Sequence, residues 1–330
     1  MTRPSEPFST VGPPAGPDLL IGEVRTALLQ HSVALPRAAA GQLLQLRHGE
    51  RVRTSERPSG QAVSPDLLTG VDCPLPTASG RAVRGVGTAT SRAVLTEGRL
   101  LQASVRVRIA ATGGSLRLPW GHYLARPGTV EPSGRLAGAD LVDGHLSADR
   151  LPGGALDLGA IAERLLTDLQ GRRVLDRRAP FRSRRTRLLW TATRAEPGGD
   201  GPGALFTIED GTLRTLRLTL ERVDPVAVAA FCEDLALHDW LLTTLVQLVE
   251  RSGLGSAPGP EPLLRLRPAV DHLLHLWMPG ARVDRALAPI WAGLETRPGF
   301  TRQWAATVQR IRDHLALQAI GLPAHSYQGD

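Results

Sequence analysis

The stretch FCEDLALHDW (231–240) brings a thiol, three carboxylates and an imidazole into ten consecutive positions. Asp234 and His238 are four residues apart, so on a helix they stand one above the other on a single face and can touch. VDHLLHLWMPG (270–280) repeats that spacing with Asp271 and His275. A carboxylate and an imidazole so placed can pass a proton, lock a helix in register or share a divalent cation. Two consecutive helices joined by a short loop usually pack antiparallel, which would turn the two pairs toward each other. Two imidazoles and two carboxylates suit Zn, Mn or Fe, and helix interiors build metal sites in this way. The candidate metal ligands are therefore Asp234, His238, Asp271 and His275, and the corresponding enzyme is a metal-dependent hydrolase.

A second reading of the same residues is structural. On a helical wheel of 224–252, Phe231, Leu235, Leu242, Leu245, Val246 and Val249 form a wide apolar stripe. Asp234 and His238 fall inside it, Cys232 and Asp239 on its flank, and Trp240 nearly opposite its centre. A buried carboxylate and imidazole must satisfy each other or a neighbour. Each pair would then fix helix register or cap an adjoining loop. Asp271 and His275 similarly lie beside an arc of Leu266, Val270, Leu273, Leu274 and Trp277. The Glu-x-x-His spacing of carboxylate-bridged bundle sites is absent. His238-Asp239 is similar to the paired His-Asp of helical metal phosphohydrolases, but that arrangement also needs a histidine on an earlier helix, and none lies between His145 and His238. Neither Gly-x-Ser-x-Gly nor His-Glu-x-x-His occurs. The structural reading is preferred, and no catalytic or cofactor-binding residue is assigned.

The elements that must hold these residues read as follows. LLIGEVRTALLQ (19–30) is a strand anchored by Ile21 and Val24, and PRAAAGQLLQLRH (36–48) is a short helix opened by proline. The Pro- and Gly-punctuated run 51–80 reads as loop after a short strand. LLQASVRVRIA (100–110) alternates strictly, with Leu101, Ala103, Val105, Val107 and Ile109 on one side and Gln102, Ser104, Arg106 and Arg108 on the other. A turn at 96–99 pairs it with 82–95. Residues 127–156 read as a long connection, and Asp157 caps a helix, LGAIAERLLTDLQ, with Ile161, Leu165 and Leu169 on one side. TRLLWTATR (186–194) is a strand. ALFTIEDGTLRTLRLTL (204–220) is a hairpin with a type I′ turn at Asp210-Gly211 and a bulge between Leu213 and Leu216. After about residue 223 strand patterns cease, and four helices are expected over 224–252, 261–278, 283–296 and 299–319, separated by Gly- and Pro-bearing breaks.

The chain has 330 residues, a length that favours two domains. The expected architecture is α+β: a disordered tail at 1–17, a mixed or antiparallel sheet domain with a few helices at 18–222, an all-α helical-bundle domain at 223–320, and a tail at 321–330. No apolar run approaches the ~18–20 residues of a membrane helix, and MTRPSEPFSTVGPPAGPD has no apolar core of a secretory signal. Two cysteines, Cys73 and Cys232, make no disulfide framework, so a reducing cytoplasm is the expected compartment. Cys73 sits among turn residues and reads as structural.

The net charge is +7, and there is no lysine: all 39 basic residues are arginine, as in a GC-rich genome. RRVLDRRAPFRSRRTR (172–187) carries eight arginines against one aspartate, so this segment alone accounts for the excess. It could hold phosphates, with Phe181 and Trp190 stacking bases. No nucleic-acid-binding signature accompanies it, and a solvated linker is the preferred reading. GRAVRGVGT (80–88) lacks the Lys and Ser/Thr of a phosphate loop.

GEVRTALLQHS, SPDLLTGVDCPLPT, FCEDLALHDWLLTTL, RLRPAVDHLLHLWMPGARVD and RPGFTRQW are longer than any simple motif. On these runs the chain resembles an actinobacterial conserved-operon family of unknown function, over about residues 20–320. The resemblance implies a cytoplasmic protein encoded in a neighbourhood that includes a variant P-loop protein. It transfers no residue role. It implies an adaptor or regulatory component of a multi-protein system. The leading expectation is thus a non-catalytic interaction protein whose helical domain docks a protein partner, with the neighbouring P-loop protein as a candidate. The alternatives are the metal-dependent hydrolase and nucleic-acid binding through 172–187.

Overall fold

The computed structural model describes residues 19–110, 117–147, 153–198, 201–254 and 261–321. The expected tails at 1–17 and 321–330 lie outside the described residues, apart from Gly321. The strands are β1 (Leu19–Leu28), β2 (Arg53–Ser55), β3 (Gln61–Val63), β4 (Leu67–Pro74), β5 (Arg84–Thr96), β6 (Leu100–Ile109), β7 (Thr129–Ser133), β8 (Thr186–Arg194), β9 (Gly203–Ile208) and β10 (Leu213–Leu220). The helices are α1 (Arg37–Leu44), α2 (Trp120–Leu124), α3 (Gly138–Leu146), α4 (Leu158–Gln170), α5 (Pro225–Ser252), α6 (Glu261–His272), α7 (Ala288–Thr296) and α8 (Phe300–Gly321).

All ten strands join one mixed sheet in the order β2-β3-β5-β7-β6-β1-β8-β10-β9, with β4 also paired to β5. The β8–β10 and β6–β7 pairs are parallel and the others antiparallel. The long strand β5 makes this possible. Its 13 residues carry β3 and β4 end to end along one edge, and β6 and β7 along the other. The 51–80 segment therefore holds three strands where one short strand and a loop were expected, and 127–156 holds a strand and a helix where a long connection was expected. The hairpin at 96–99 forms as expected. Glu97 and Gly98 take φ of 49° and 59°, and the Arg99 N–H donates to Thr96 O at 3.0 Å. Gly98 also lies against the chain at Leu35, where a Cβ would come within 2.3 Å of the Leu35 carbonyl oxygen.

Two layers cover the sheet. Leu19, Ile21, Leu101, Val105 and Val107 face α1, α3 and α4 through Leu43, Leu141, Leu166 and Leu169. Leu20, Val24, Leu28, Leu188, Trp190 and Leu216 face α5. Trp190 lies across Gly22 on the neighbouring strand; a Cβ there would fall 2.3 Å from the indole. Helix α5 begins with Asp224, whose carboxylate accepts from Val226 N and Ala227 N, and ends at Gly253 with φ 72°. Helices α6 and α8 pack on its outer side, and α7 on β9.

This arrangement overturns the expected all-α helical-bundle domain. Leu266, Trp291, Leu294, Phe300 and Trp304 of the C-terminal helices share one hydrophobic core with β1, β8 and β10. The helical amphipathicity was real, but the apolar side of α5 meets a sheet face. The polar side of β6 is the reason the sequence concealed this: Gln102 is 1% exposed and Arg106 8%, so the alternation marks a buried polar face under a helix rather than a solvated one.

The β9–β10 hairpin also differs from expectation. Pairing runs without a bulge from Arg214↔Ile208 to Thr219↔Gly203. Gly211 is not in the left-handed region; instead the Asp210 carboxylate accepts from Thr212 N (2.5 Å) and Leu213 N (2.8 Å). The leucine stripe of β10 breaks at 214 because a buried arginine occupies that inner position.

Candidate functional site

Residues Phe231–Leu242 of α5 are buried without a break, including Glu233, Asp234, His238 and Asp239. Four titratable groups in the middle of a core need partners, and each has one. Glu233 accepts from Arg92 Nε and Nη2, both at 2.7 Å, in a forked pair. Its backbone carbonyl accepts from Gln102 Nε2 at 2.8 Å. Asp239 accepts from Arg214 Nε at 2.9 and 3.0 Å, and Arg214 Nη2 reaches Thr243 Oγ1 at 2.9 Å. Burial pushes the Asp239 carboxyl up, and Arg214 opposes that shift.

Asp234 and His238 meet as the spacing predicts, with Nδ1 and Oδ2 3.6 Å apart, longer than a hydrogen bond. Their polar atoms serve the chain segment after α6. Gly280 N donates to Asp234 Oδ2 at 3.0 Å, and Met278 N donates to His238 Nε2 at 3.3 Å. An accepting Nε2 leaves the proton on Nδ1, which donates to the Asp234 carbonyl oxygen one turn back at 2.7 Å. Trp277 and Trp291 enclose the imidazole edge-on, with centroids at 5.2 and 6.0 Å. Burial pushes the Asp234 carboxyl up, with His238, the Gly280 N–H and Arg282 acting against it. The pair is a clamp on the 278–280 backbone.

Asp271 and His275 do not join them. Helix α6 contains Pro268 and ends at His272, and a short 3₁₀ turn follows at Leu274–Leu276. Residues 271 and 275 thus belong to different elements, and both are exposed. Asp271 instead accepts a weak contact from Arg267 Nε at 3.4 Å. The candidate set Asp234, His238, Asp271 and His275 is thus not gathered into one cluster. Among the described residues, no group of three or more His, Cys, Asp or Glu side chains is placed to hold a metal ion.

No family model matches the chain, and no curated protein or solved structure matches it.

The remaining chemical candidates are placed as follows. Cys232 is fully buried, and burial pushes its thiol well above the ordinary range, which removes the thiolate a nucleophile needs. Cys73 is half-buried on β4, and burial raises its thiol too. The Arg-rich segment 172–187 crosses from α4 to β8, and half of its arginines hold the fold. Arg172 donates to Leu43 O, Arg177 to Gly171 O, Arg185 to Glu163, and Arg187 to Glu23. Arg173, Arg178, Arg182 and Arg184 are exposed. The aromatic pair expected to stack bases is not available for it. Trp190 is fully buried, and Phe181 packs on the core and stacks on His272.

The residues that sequence reasoning missed are Arg92 and Arg214. Their signal was present as an arginine at an inward position of an alternating strand. An arginine there has to meet a carboxylate on whatever covers that face.

Proposed function

We propose that this chain is a non-catalytic interaction protein: an adaptor in the cytoplasm of an actinobacterium, serving a multi-component system. The observation that carries the reading is the use of Asp234 and His238 as a clamp on Met278 and Gly280. The residues best spaced for chemistry are buried and engaged by backbone. No helix of the described residues is long and apolar enough to cross a membrane.

The docking surface in this reading is β9, the last strand of the sheet. Its six residues, GALFTI, carry no charge. Ala204 and Phe206 pack inward, whereas Leu205 and Ile208 are 61% and 58% exposed. Edge strands are usually shortened or charged to prevent pairing; β2, at the other end, is three residues long and begins with Arg53. An extended, uncharged segment of a protein partner can add to β9 as a further strand, with apolar side chains over Leu205. The P-loop protein encoded beside the family that the chain resembles is the first partner to test.

The experiment is affinity capture from the native host with the tagged full chain and with its L205E/I208E variant. The reading expects one protein recovered in stoichiometric amount with the wild type and lost with the variant. Capture of no stoichiometric protein by the wild type would overturn it.

A further inference from the structure

The helical layer stops short of one edge of the sheet. Between the N-terminal half of α5 and the β2–β3 pair lies a cleft of about 330 Å³, near the lower bound of small-ligand pockets, ~300 Å³. Register places Arg53, Val63, Val94 and Gln102 in one cross-strand row on this face, with Arg92 one inward position from Val94. Val226, Ala230, Glu233, Asp234 and Leu237 of α5 form the wall. Arg282 closes the far side, donating Nη1 to Ser55 Oγ at 3.0 Å and Nη2 to Ser59 O. The Asp234–His238 clamp holds the segment that carries Arg282, so it also sets the shape of this cleft.

The polar groups on its floor are not all used. Arg92 is 95% buried, and Glu233 takes its Nε and Nη2 but not its Nη1. Gln102, equally buried, commits its amide nitrogen to Thr26 Oγ1 and Glu233 O and leaves Oε1 unengaged. The exposed guanidinium of Arg53 has no partner among the described residues. Three guanidiniums line the cleft against two carboxylates. One of those carboxylates, Glu233, is already neutralised by Arg92, and Asp234 is partly occupied by Gly280.

We propose that this cleft binds a small molecule through an oxyanion head group, phosphate or carboxylate, held between Arg53 and Arg92 Nη1. A guanidinium fork matches either head group in the same way. Gln102 Oε1 then accepts a hydrogen bond from a donor on the ligand body. The proposal is independent of the docking at β9, which lies at the opposite end of the sheet.

The test is isothermal titration of the full chain with inorganic phosphate and, separately, with acetate, at constant ionic strength in chloride. Saturable one-to-one binding of either anion is expected, with R53A weakening it by about tenfold or more. R135A, which removes an exposed arginine outside the cleft, should leave it unchanged. Matching melting curves of R53A and wild type show that the loss is local. No saturable binding of either anion, or equal weakening in R53A and R135A, would overturn the proposal.

Discussion

Arg92 and Arg214 stand four strands apart in one cross-strand row and hold carboxylates six residues apart on the same helix. The row runs Arg92, Ser104, Val24, Leu188, Arg214 across β5, β6, β1, β8 and β10. Glu233 and Asp239 of α5 reach its two arginines. The helix is thereby fixed in rotation and position across the strands, something the non-directional apolar packing of Val24 and Leu188 between the two pairs could not do alone.

Breaking one of these pairs should cost more than removing it whole. R92M leaves the Glu233 carboxylate buried without its fork, and about 3–5 kcal/mol of stability should be lost. R92M/E233M should recover most of that loss. Urea denaturation of the two variants checks this, and equal stabilities would contradict it.

The Arg214–Asp239 pair gives a related test with a different sign. Replacing both by leucine continues the leucine stripe of β10 into α5. R214L/D239L should unfold within about 1 kcal/mol of the wild type or be more stable, while D239L alone should be clearly weaker. Differential scanning calorimetry separates the two.

Gly22 should tolerate no side chain. In G22A the new methyl would lie 2.3 Å from the Trp190 ring and 2.7 Å from Val105 O. The indole is held between two layers, so a loss of about 3 kcal/mol is expected, with an altered Trp fluorescence maximum. An unchanged melting temperature would contradict this packing.

His145 predicts a pH dependence. Its Nε2 donates to Gly22 O at 3.0 Å, and burial pushes its pKa below the ordinary 6.5, while the Gly22 carbonyl, Glu23 and Asp157 act against that shift and Arg187 adds to it. The folded state therefore binds fewer protons than the unfolded state. The stability from His145 is complete above the unfolded value and is lost as pH falls through the folded one, at no more than about 1.4 kcal/mol per pH unit. Gln can keep the donor, so H145Q should lose stability less steeply than wild type between about pH 7 and about pH 5. Parallel curves would contradict this assignment.

The parts of the fold legible in sequence were those with a pattern of their own. Alternation located β6 and its hairpin with β5, Ile21 and Val24 lie in β1, and Asp157 caps α4 through Ala160 N at 2.9 Å. Strands β3, β4 and β7 are short, or broken by Gly and Pro, and exist because β5 offers them an edge; nothing in their own residues states that partner. The apolar stripe of α5 was legible, but a stripe does not say whether helix or sheet covers it. The polar residues within it held that information. Asp234 and His238 were recognised as a pair, while their partners, the backbone of Met278 and Gly280, have no sequence signature. Asp271 and His275 matched the same spacing by coincidence, since α6 ends between them.

The most direct test of the clamp is amide hydrogen exchange across 276–281 in the wild type, D234N and D234A. Asn can still accept from the Gly280 N–H, so D234N should keep the protection at Gly280 while D234A loses it, with β1 and β6 unaffected in both. Equal protection at Gly280 in all three proteins would show that Asp234 does not hold this segment and would return it to the list of groups available for chemistry.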